Sequence, residues 1–342
     1  RITSTDPEKH MPPLDSGKDA LNEEEIALFK RWIEEGAVWA THWAWLAPQP
    51  GPIPEVDKQY TVNNPIDNFI LARLQDVGLT PSPEADRETL IRRAAFDLTG
   101  LPPTLAEIDT FLKDTSADAY SNMLDRLLAS KHYGERMAID WLDGARYADS
   151  NGFQNDFGRD MYPWRDWVIN TFNDNMPFDQ FTIEQIAGDM LPEPTRSQRV
   201  ATGFHRNHRS NTEGGTIEEE WRTENIIDRV ETTGTVFLGL SLGCARCHDH
   251  KYDPFTQKEF YQFYSFFNHS KERGVYNETR GNAGTLLPLP SATEAGKIDQ
   301  WDAEIEAAKK IFLAREKEIN LSFEQNVEPA VDGKSIPEIT PD

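Results

Sequence analysis

Both cysteines of this 342-residue chain lie in one short run, Cys244-Ala-Arg-Cys247-His248. Two thiols at this spacing can each form a thioether with a vinyl group of haem, and the histidine after the second thiol can then bind the iron. A chain that carries a macrocycle here must fold around it, so the run constrains the architecture more than any other feature. It predicts one covalent haem c attached to Cys244 and Cys247, with His248 as the proximal iron ligand.

Two other uses of such a run stay open at this point. A structural zinc site needs four ligands, usually from a second Cys or His pair. Asp249 and His250 lie close by, but the sequence has no second pair. A thioredoxin-like dithiol would place the two cysteines at the end of a strand, whereas the flanking residues here have a helical pattern.

The ligand on the second face of the iron decides what a haem can do. A methionine or a second histidine gives an electron carrier, whereas an open position permits small-molecule binding or peroxide chemistry. His250 is too close in sequence to His248 to reach that face. The candidates are His205, His208 and Met190. We prefer His208 as the sixth ligand, because it lies in a Gly-, Asn- and His-containing loop over residues 203–215.

A second polar stretch spans residues 146–166 and mixes carboxylates and arginines with aromatic residues. Carboxylates beside aromatic rings are typical of clefts that bind sugars or move protons. The same composition also suits a salt-bridged loop on the surface. The sequence leaves both interpretations open.

The charge balance excludes some partners. The chain has 35 Lys and Arg residues against 58 Asp and Glu residues, a formal net charge of -23. Such a chain has no basic patch large enough to replace the counterions of nucleic acid, and an anionic membrane surface repels it. No stretch approaches the roughly eighteen apolar residues that a membrane span needs. We expect no nucleic acid and no transmembrane segment, and a basic redox protein suits this surface as a partner.

Apolar residues recur at helical spacing through most of the chain, and strand signals are weak. Helix starts are marked by Asn22, with Glu25 three residues on, and by the capping box of Thr104 and Glu107. Further helices are expected near residues 117–130, 132–148, 163–175, 180–188, 217–238 and 256–268. The predicted fold class is mainly α: a multi-helix globular domain built around a c-type haem site, with a C-terminal amphipathic or coiled-coil helix.

Composition also divides the chain into zones. Residues 1–47 carry one helical pattern and residues 48–64 form a Pro-rich linker. Residues 65–275 form the predicted haem-binding helical domain, and residues 276–342 a loop followed by a charged helix. In that helix apolar residues are spaced by three and four positions, which suits a short coiled coil, a helical hairpin or an ordinary amphipathic helix. These residues are Ile298, Trp301, Ile305, Ala308, Phe312 and Ile319.

Several blocks carry a resemblance to a known family. They include Gly158-Arg-Asp-Met-Tyr-Pro-Trp-Arg-Asp-Trp167, Asn175 to Gln185, Asp228 to Leu240 and Gly243-Cys-Ala-Arg-Cys-His-Asp-His-Lys-Tyr-Asp-Pro254. Together they resemble the large exported planctomycete cytochromes, which join a planctomycete-type cytochrome c domain to two domains of unknown function. The resemblance covers about residues 60 to 270, the first of those unknown domains. The resemblance implies Met in many relatives at the position of Arg209, so this chain departs from the family's pattern there.

The beginning of the chain resembles another part of the same family. His10-Met11-Pro12-Pro13 and the helical pattern up to Ala37 are similar to the C-terminal end of the planctomycete-type cytochrome c domain. The resemblance implies that residues 1–47 are a remnant of that domain. It also implies that Met11 is the axial ligand of a haem whose attachment motif is absent from this chain, and that the second unknown domain would follow the last helix.

Three functions follow as hypotheses. The first is an exported c-type cytochrome, periplasmic or at the cell surface, that transfers electrons, since haem c is attached outside the bacterial cytoplasm. The second is a haem-linked oxidoreductase of carbohydrate breakdown, with loops 146–166 and 205–220 binding a glycan. The third is a non-redox binding or scaffold module with a structural haem.

Overall fold

The structure is a computed structural model that describes residues 1–13, 15–39, 42–153, 155–276 and 286–326. Over these residues the chain is mainly helical and contains no named strand, which confirms the predicted predominance of α-structure. The chain divides into two compact units, residues 1–84 and 85–342. The predicted domain boundaries at residues 47, 64 and 275 stay predictions.

Among its described residues the first unit contains two α-helices, α1 (Glu23–Glu34) and α2 (Pro65–Asp76), and a short 3-10 helix at Trp43–Trp45. The predicted start of α1 is confirmed, because Asn22 and Glu25 form a reciprocal capping box. Asn64 caps α2 in the same way. Between these helices the Pro-rich segment has no helix after Trp45, since proline lacks the N–H that a helix interior requires.

The second unit contains ten α-helices among its described residues. They are α3 (Arg87–Thr99), α4 (Leu105–Lys113), α5 (Ala119–Leu128), α6 (Lys131–Gly144), α7 (Tyr162–Asn173), α8 (Phe178–Ala187), α9 (Arg196–Ala201), α10 (Glu218–Thr233), α11 (Gln257–Phe267) and α12 (Ala292–Asn326). The predicted helices from 117 to 268 each correspond to one of these. The short α9 was not predicted, because six residues are too few to show a helical period.

Three apolar clusters hold this unit together. One joins α3, α4 and α5 around Ile91, Phe111 and Met123. The second joins α6, α7 and α8 around Trp164 and Phe181. The third joins α10 and α11 to the segment that carries the cysteines; it contains Ile227, Val230, Leu242, Ala245 and Phe260. This third cluster fixes the position of the Cys-x-x-Cys-His run.

Helix α10 ends in an unusual way just before that run. The helix continues into a π-helical turn at Gly234–Leu238. This turn ends at Gly239, which has a left-handed φ of 65°. A Cβ at Gly234 would lie 2.5 Å from Cδ1 of Leu242. Glycine therefore lets the cysteine-bearing turn pack directly on the end of α10.

Helix α12 has 35 residues and does not pack along any other described element. Apolar side chains of its predicted seam are exposed, among them Trp301 (57%) and Phe312 (66%). The helix itself was predicted, and its role as a coiled coil stays a prediction. Residues 277–285 and 327–342 of the predicted last zone lie outside the described residues.

Candidate functional site

The cysteines lie on a 3-10 helical turn, Leu242–Arg246, that follows the π-helical end of α10. Leu242 and Ala245 are buried in the third apolar cluster. Leu242 and Ala245 are three residues apart, and so are Cys244 and Cys247. Both cysteines are exposed, and no disulfide joins them. With about three residues per turn, residues three apart share a face, so the thiols lie on the solvent face of an anchored turn.

Contacts to α11 and α10 hold the end of this turn. The main-chain oxygen of Arg246 accepts hydrogen bonds from Gln257 Nε2 at 3.1 Å and from the Tyr261 hydroxyl at 3.0 Å. The guanidinium of Arg246 binds the carboxylate of Glu224, with Nη2 and Oε1 2.5 Å apart. The backbone between the two cysteines is therefore held from two helices.

His248 is exposed, and its Nδ1 donates to the main-chain oxygen of Asp249 at 2.7 Å. This bond places the proton on Nδ1 and leaves the Nε2 lone pair free. Histidines that bind a metal commonly donate their other ring N–H to a carbonyl or carboxylate, which fixes the tautomer. Two exposed thiols followed by an exposed histidine in this tautomer are a donor set that fits haem c.

His250 has a structural position in the loop that follows. Its Nδ1 accepts the main-chain N–H of Asp253 at 2.9 Å, and its ring stacks on Phe255 with 4.6 Å between centroids. The main-chain N–H of His250 donates to the main-chain oxygen of Phe255. These contacts close the loop after the cysteine run and hold His248 at its start.

The preferred sixth ligand, His208, lies inside the protein. Its Nδ1 donates to the oxygen of Arg209 at 2.7 Å, and its Nε2 accepts from Arg229 at 3.1 Å and lies 3.4 Å from Glu272. Burial lowers the pKa of His208, the contact with Glu272 raises it and the charge of Arg229 lowers it again, so that the net shift is downward. Both ring nitrogens are engaged and the residue is 2% exposed. His208 is thus a buried, hydrogen-bonded residue, and its role as the sixth iron ligand stays a prediction.

Three other residues were predicted as axial iron ligands: His205, Met190 and Met11. His205 Nε2 donates to the oxygen of Ile186, and burial, with the charge of Arg229 next, lowers its pKa to about 3. Met190 is 81% exposed. Met11, in the first unit, is 43% exposed. No contact of these three residues bears on iron binding, so their roles as ligands stay predictions.

A buried ionic network, which the sequence analysis missed, surrounds His208. The carboxylate of Glu272 binds both Arg206 and Arg229 and accepts from the Tyr276 hydroxyl. Burial alone would raise the pKa of Glu272, but His208, Arg229 and Arg206 outweigh it and hold the pKa far below its usual range. In a chain with 58 acidic residues no sequence signal singles out one of them.

The two polar loops that the sequence analysis selected separately meet in space. The N–H of Ser210 donates to the oxygen of Asn151 at 3.0 Å. Arg159 reaches across from the first loop and donates to the main-chain oxygens of Asn207 and His208. The loops at 146–166 and 203–215 are therefore joined through main-chain groups.

Next to this junction lies a cleft of about 500 Å³, here called the Arg159 cleft. Its polar lining comprises Arg159, Asp160, Asp189, Arg199, Thr202, Arg206, Ser210, Ser270, Lys271 and Glu272. Its apolar lining comprises Met161, Pro163, Trp164, Val200, Leu286, Leu287 and Leu289. Arg196 on α9 donates to the oxygen of Pro290 and so holds the leucine segment against this side of the fold.

Alternatives to haem find little support in the described part of the chain. No group of three or more His, Cys, Asp or Glu side chains there is arranged to hold a metal ion, so a four-ligand zinc site has no ligand set among those residues. The cysteines also do not follow a strand, as a thioredoxin-like dithiol would require. Among the described helices, none is both long and apolar enough to cross a bilayer.

Comparison with known proteins gives one family. The model of PSCyt2, described as a protein of unknown function (DUF1549), matches residues 65–272, more than half of the 342-residue chain. A search of curated proteins and a search of solved structures found no match. The matched range agrees with the predicted first domain of unknown function; residues 1–47 lie outside it, so the cytochrome-domain remnant stays a prediction. The chain belongs to the PSCyt2 family of proteins of unknown function (DUF1549).

Proposed function

We propose that this chain binds one covalent haem c through Cys244 and Cys247 and transfers electrons to a redox partner protein outside the cytoplasm. The observation that carries the proposal is the orientation of the cysteine-bearing turn. Its inner residues, Leu242 and Ala245, are fixed in a core, and both thiols are exposed on the opposite side. A macrocycle can therefore be attached without unfolding the domain.

Each residue of the site would have a separate role in holding the haem. The thiols of Cys244 and Cys247 would hold the two vinyl positions, and Nε2 of His248 would bind the iron while Asp249 keeps the proton on Nδ1. Bound there, haem would supply a one-electron iron couple whose potential depends on its axial ligands and its exposure. Gln257 and Tyr261 would keep the backbone between the cysteines in place.

Covalent attachment is the first test. The chain is expressed in a bacterial envelope with a cytochrome c maturation system and analysed by mass spectrometry after denaturation. We expect the mass of one haem to stay with the polypeptide. The double variant Cys244→Ser/Cys247→Ser should carry none. A bare wild-type chain from cells that mature a control cytochrome would contradict the proposal.

The role of His248 has a separate test. In His248→Ala the haem should stay attached through its thioethers, but the optical spectrum should change because the proximal ligand is lost. His269→Ala is the matched control, since His269 is another exposed histidine of the same unit. Equal spectra for His248→Ala and wild type would reject the assignment.

A second candidate function is a haem-linked oxidoreductase that acts on carbohydrates. The observation in its favour is that loops 146–166 and 203–215 line one cleft of about 500 Å³. Clefts of a few hundred Å³ with convergent polar groups are the usual form of small-molecule sites. Under anaerobic conditions, a glycan substrate should reduce the haem, whereas a haem that stays oxidised with a broad glycan panel would contradict this function.

Carbon monoxide separates electron transfer from catalysis at the iron. A low-spin spectrum that does not respond to carbon monoxide supports an electron carrier, because both axial positions are then filled. A high-spin haem that binds carbon monoxide supports small-molecule chemistry. A haem that no redox mediator reduces or oxidises would point instead to a non-redox module with a structural haem.

A further inference from the structure

We infer that the Arg159 cleft binds a small sugar acid, a monosaccharide or disaccharide that carries a carboxylate or a sulfate ester. The inference rests on the second candidate function, because it names the substrate class of that cleft. It is independent of haem attachment. The charge of the cleft, the state of Arg159 and the apolar wall carry the argument.

The lining of the cleft has the opposite charge balance from the whole chain. Acidic residues outnumber basic ones by 58 to 35 in the sequence. The lining has four basic side chains, Arg159, Arg199, Arg206 and Lys271, and three acidic ones, Asp160, Asp189 and Glu272. Glu272 is also bound by Arg229, which lies outside the lining. A locally positive cleft in an acidic protein attracts small anions.

Arg159 is the most confined of these cations. It is 7% exposed, and no described carboxylate forms an ion pair with it. Its guanidinium donates instead to the main-chain oxygens of Ala148, Arg206, Asn207 and His208. Burial, and then the neighbouring charges of Arg206 and Arg146, lowers its pKa to about 10.

Asp149 and Asp156 raise the pKa of Arg159 through space, but among the described residues no carboxylate contacts its guanidinium. Carbonyl oxygens satisfy the donors of a guanidinium but carry only partial charge, so the cost of burying the cation is not fully offset. An oxyanion in the adjacent cleft would offset it by its charge, and Nη2 of Arg159, which has two N–H groups and donates to one carbonyl, could form a charge-assisted hydrogen bond to it. Arg199 and Lys271 at the exposed mouth would add attraction on entry.

The apolar part of the lining indicates what kind of molecule would carry the anionic group. Met161, Val200 and the leucines at 286, 287 and 289 give the cleft an apolar surface. An inorganic anion would leave this apolar surface exposed to water, whereas the C–H face of a sugar ring would bury it. Trp164 also borders the cleft, and its buried indole N–H has no partner. Trp164 packs closely on Gly203, which also lines the cleft, and a Cβ at Gly203 would lie only 2.9 Å from Cβ of Trp164.

The test compares two sugars that differ in one group. Titration calorimetry of the full chain uses D-glucuronate and D-glucose, with glucose 6-sulfate to separate a carboxylate from a sulfate. We expect glucuronate and glucose 6-sulfate to bind at least about tenfold more tightly than glucose. Added salt should lower the affinity for both anions. Lys271→Met should reduce the affinity for the acids several-fold, whereas Lys258→Met, on exposed α11, should leave it unchanged.

Each other outcome is informative. Equal affinity for glucose and glucuronate would overturn the preference for an acid and keep the carbohydrate function. Failure of every sugar in a wider panel would overturn both. Inorganic sulfate that competes as strongly as glucose 6-sulfate would show that the cleft does not recognise a sugar body, and it would overturn the inference.

Discussion

The carboxylate of Glu272 binds the guanidinium of Arg229, 43 residues earlier in the chain, and both side chains are 5% exposed. The pair joins α10 to the segment after α11. Arg206 and His208 contact the same carboxylate, so one acidic group holds together three separate stretches of sequence.

Removing this carboxylate should destabilise the second unit strongly. Glu272→Gln keeps the shape but leaves Arg229 and Arg206 without their counter-charge, at a cost of about 3–5 kcal/mol. Urea unfolding followed by circular dichroism measures the change. Glu218→Gln is the control, because Glu218 pairs with Arg273 on the surface and its loss should not be resolved. Equal effects of the two substitutions would contradict the role of the network.

Acid should destabilise the fold first through two buried histidines with lowered pKa values, His205 and His208, and then through Glu272. The pKa of His205 is about 3 in the folded protein, against about 6.5 in an unfolded chain. The unfolded state therefore takes up the proton first, and stability falls as the pH drops from about 6.5 towards 3, by up to about 1.4 kcal/mol per pH unit. The lowered pKa of Glu272 adds a further loss below its unfolded pKa of 4.5.

The variant His205→Gln isolates the contribution of His205. Glutamine keeps a donor for the oxygen of Ile186 but does not titrate, so the fall in stability between pH 6.5 and 4.5 should become shallower. His269→Gln, at an exposed position, is the control. An unchanged pH profile in His205→Gln, measured by urea unfolding at several pH values, would reject the assignment.

Gly234 should be needed for the position of the cysteines. In Gly234→Ala the new methyl group meets the side chain of Leu242, and overpacking of this kind costs about 1–3 kcal/mol. The turn that carries Cys244 should move, which lowers the fraction of chains that receive haem. Adding Leu242→Ala should restore part of that fraction. In Gly144→Ala the nearest side-chain atom would be 3.6 Å away, so that variant should behave as wild type.

His250 should support the site without binding iron. His250→Ala removes the acceptor for the N–H of Asp253 and the ring on Phe255, at a cost of about 1–2 kcal/mol. The haem that is attached should keep the wild-type spectrum, in contrast to His248→Ala. His250→Asn supplies another acceptor and should recover much of the thermal stability. A changed axial spectrum in His250→Ala would show that His250 is itself a ligand.

Local signals predicted much of the helical framework. Asn22 with Glu25 and Thr104 with Glu107 mark helix starts because a capping box involves residues only three apart. The spacing of Cys244, Cys247 and His248 is equally local; the structure shows all three exposed, and their role as a haem attachment site stays a prediction. These features could be predicted because their physical cause lies within one turn of chain.

The position of His208 could not be predicted in this way. A histidine in a Gly- and Asn-rich loop suits a ligand and a structural residue equally well, and the contacts of His208 with Arg229 and Glu272 depend on residues distant in sequence. The junction of the 146–166 and 203–215 loops likewise depends on Arg159, whose partners lie 47 to 49 residues away.

The sequence alone determined the helical class, the helix starts and the chemistry available at the cysteine run, since propensity, capping and ligand spacing act over a few residues. Only the tertiary structure decided which polar groups are buried together, where the thiols face and that two loops share a cleft. Burial and charge pairing depend on groups distant in sequence, and the dielectric environment that sets a pKa exists only once those groups have packed.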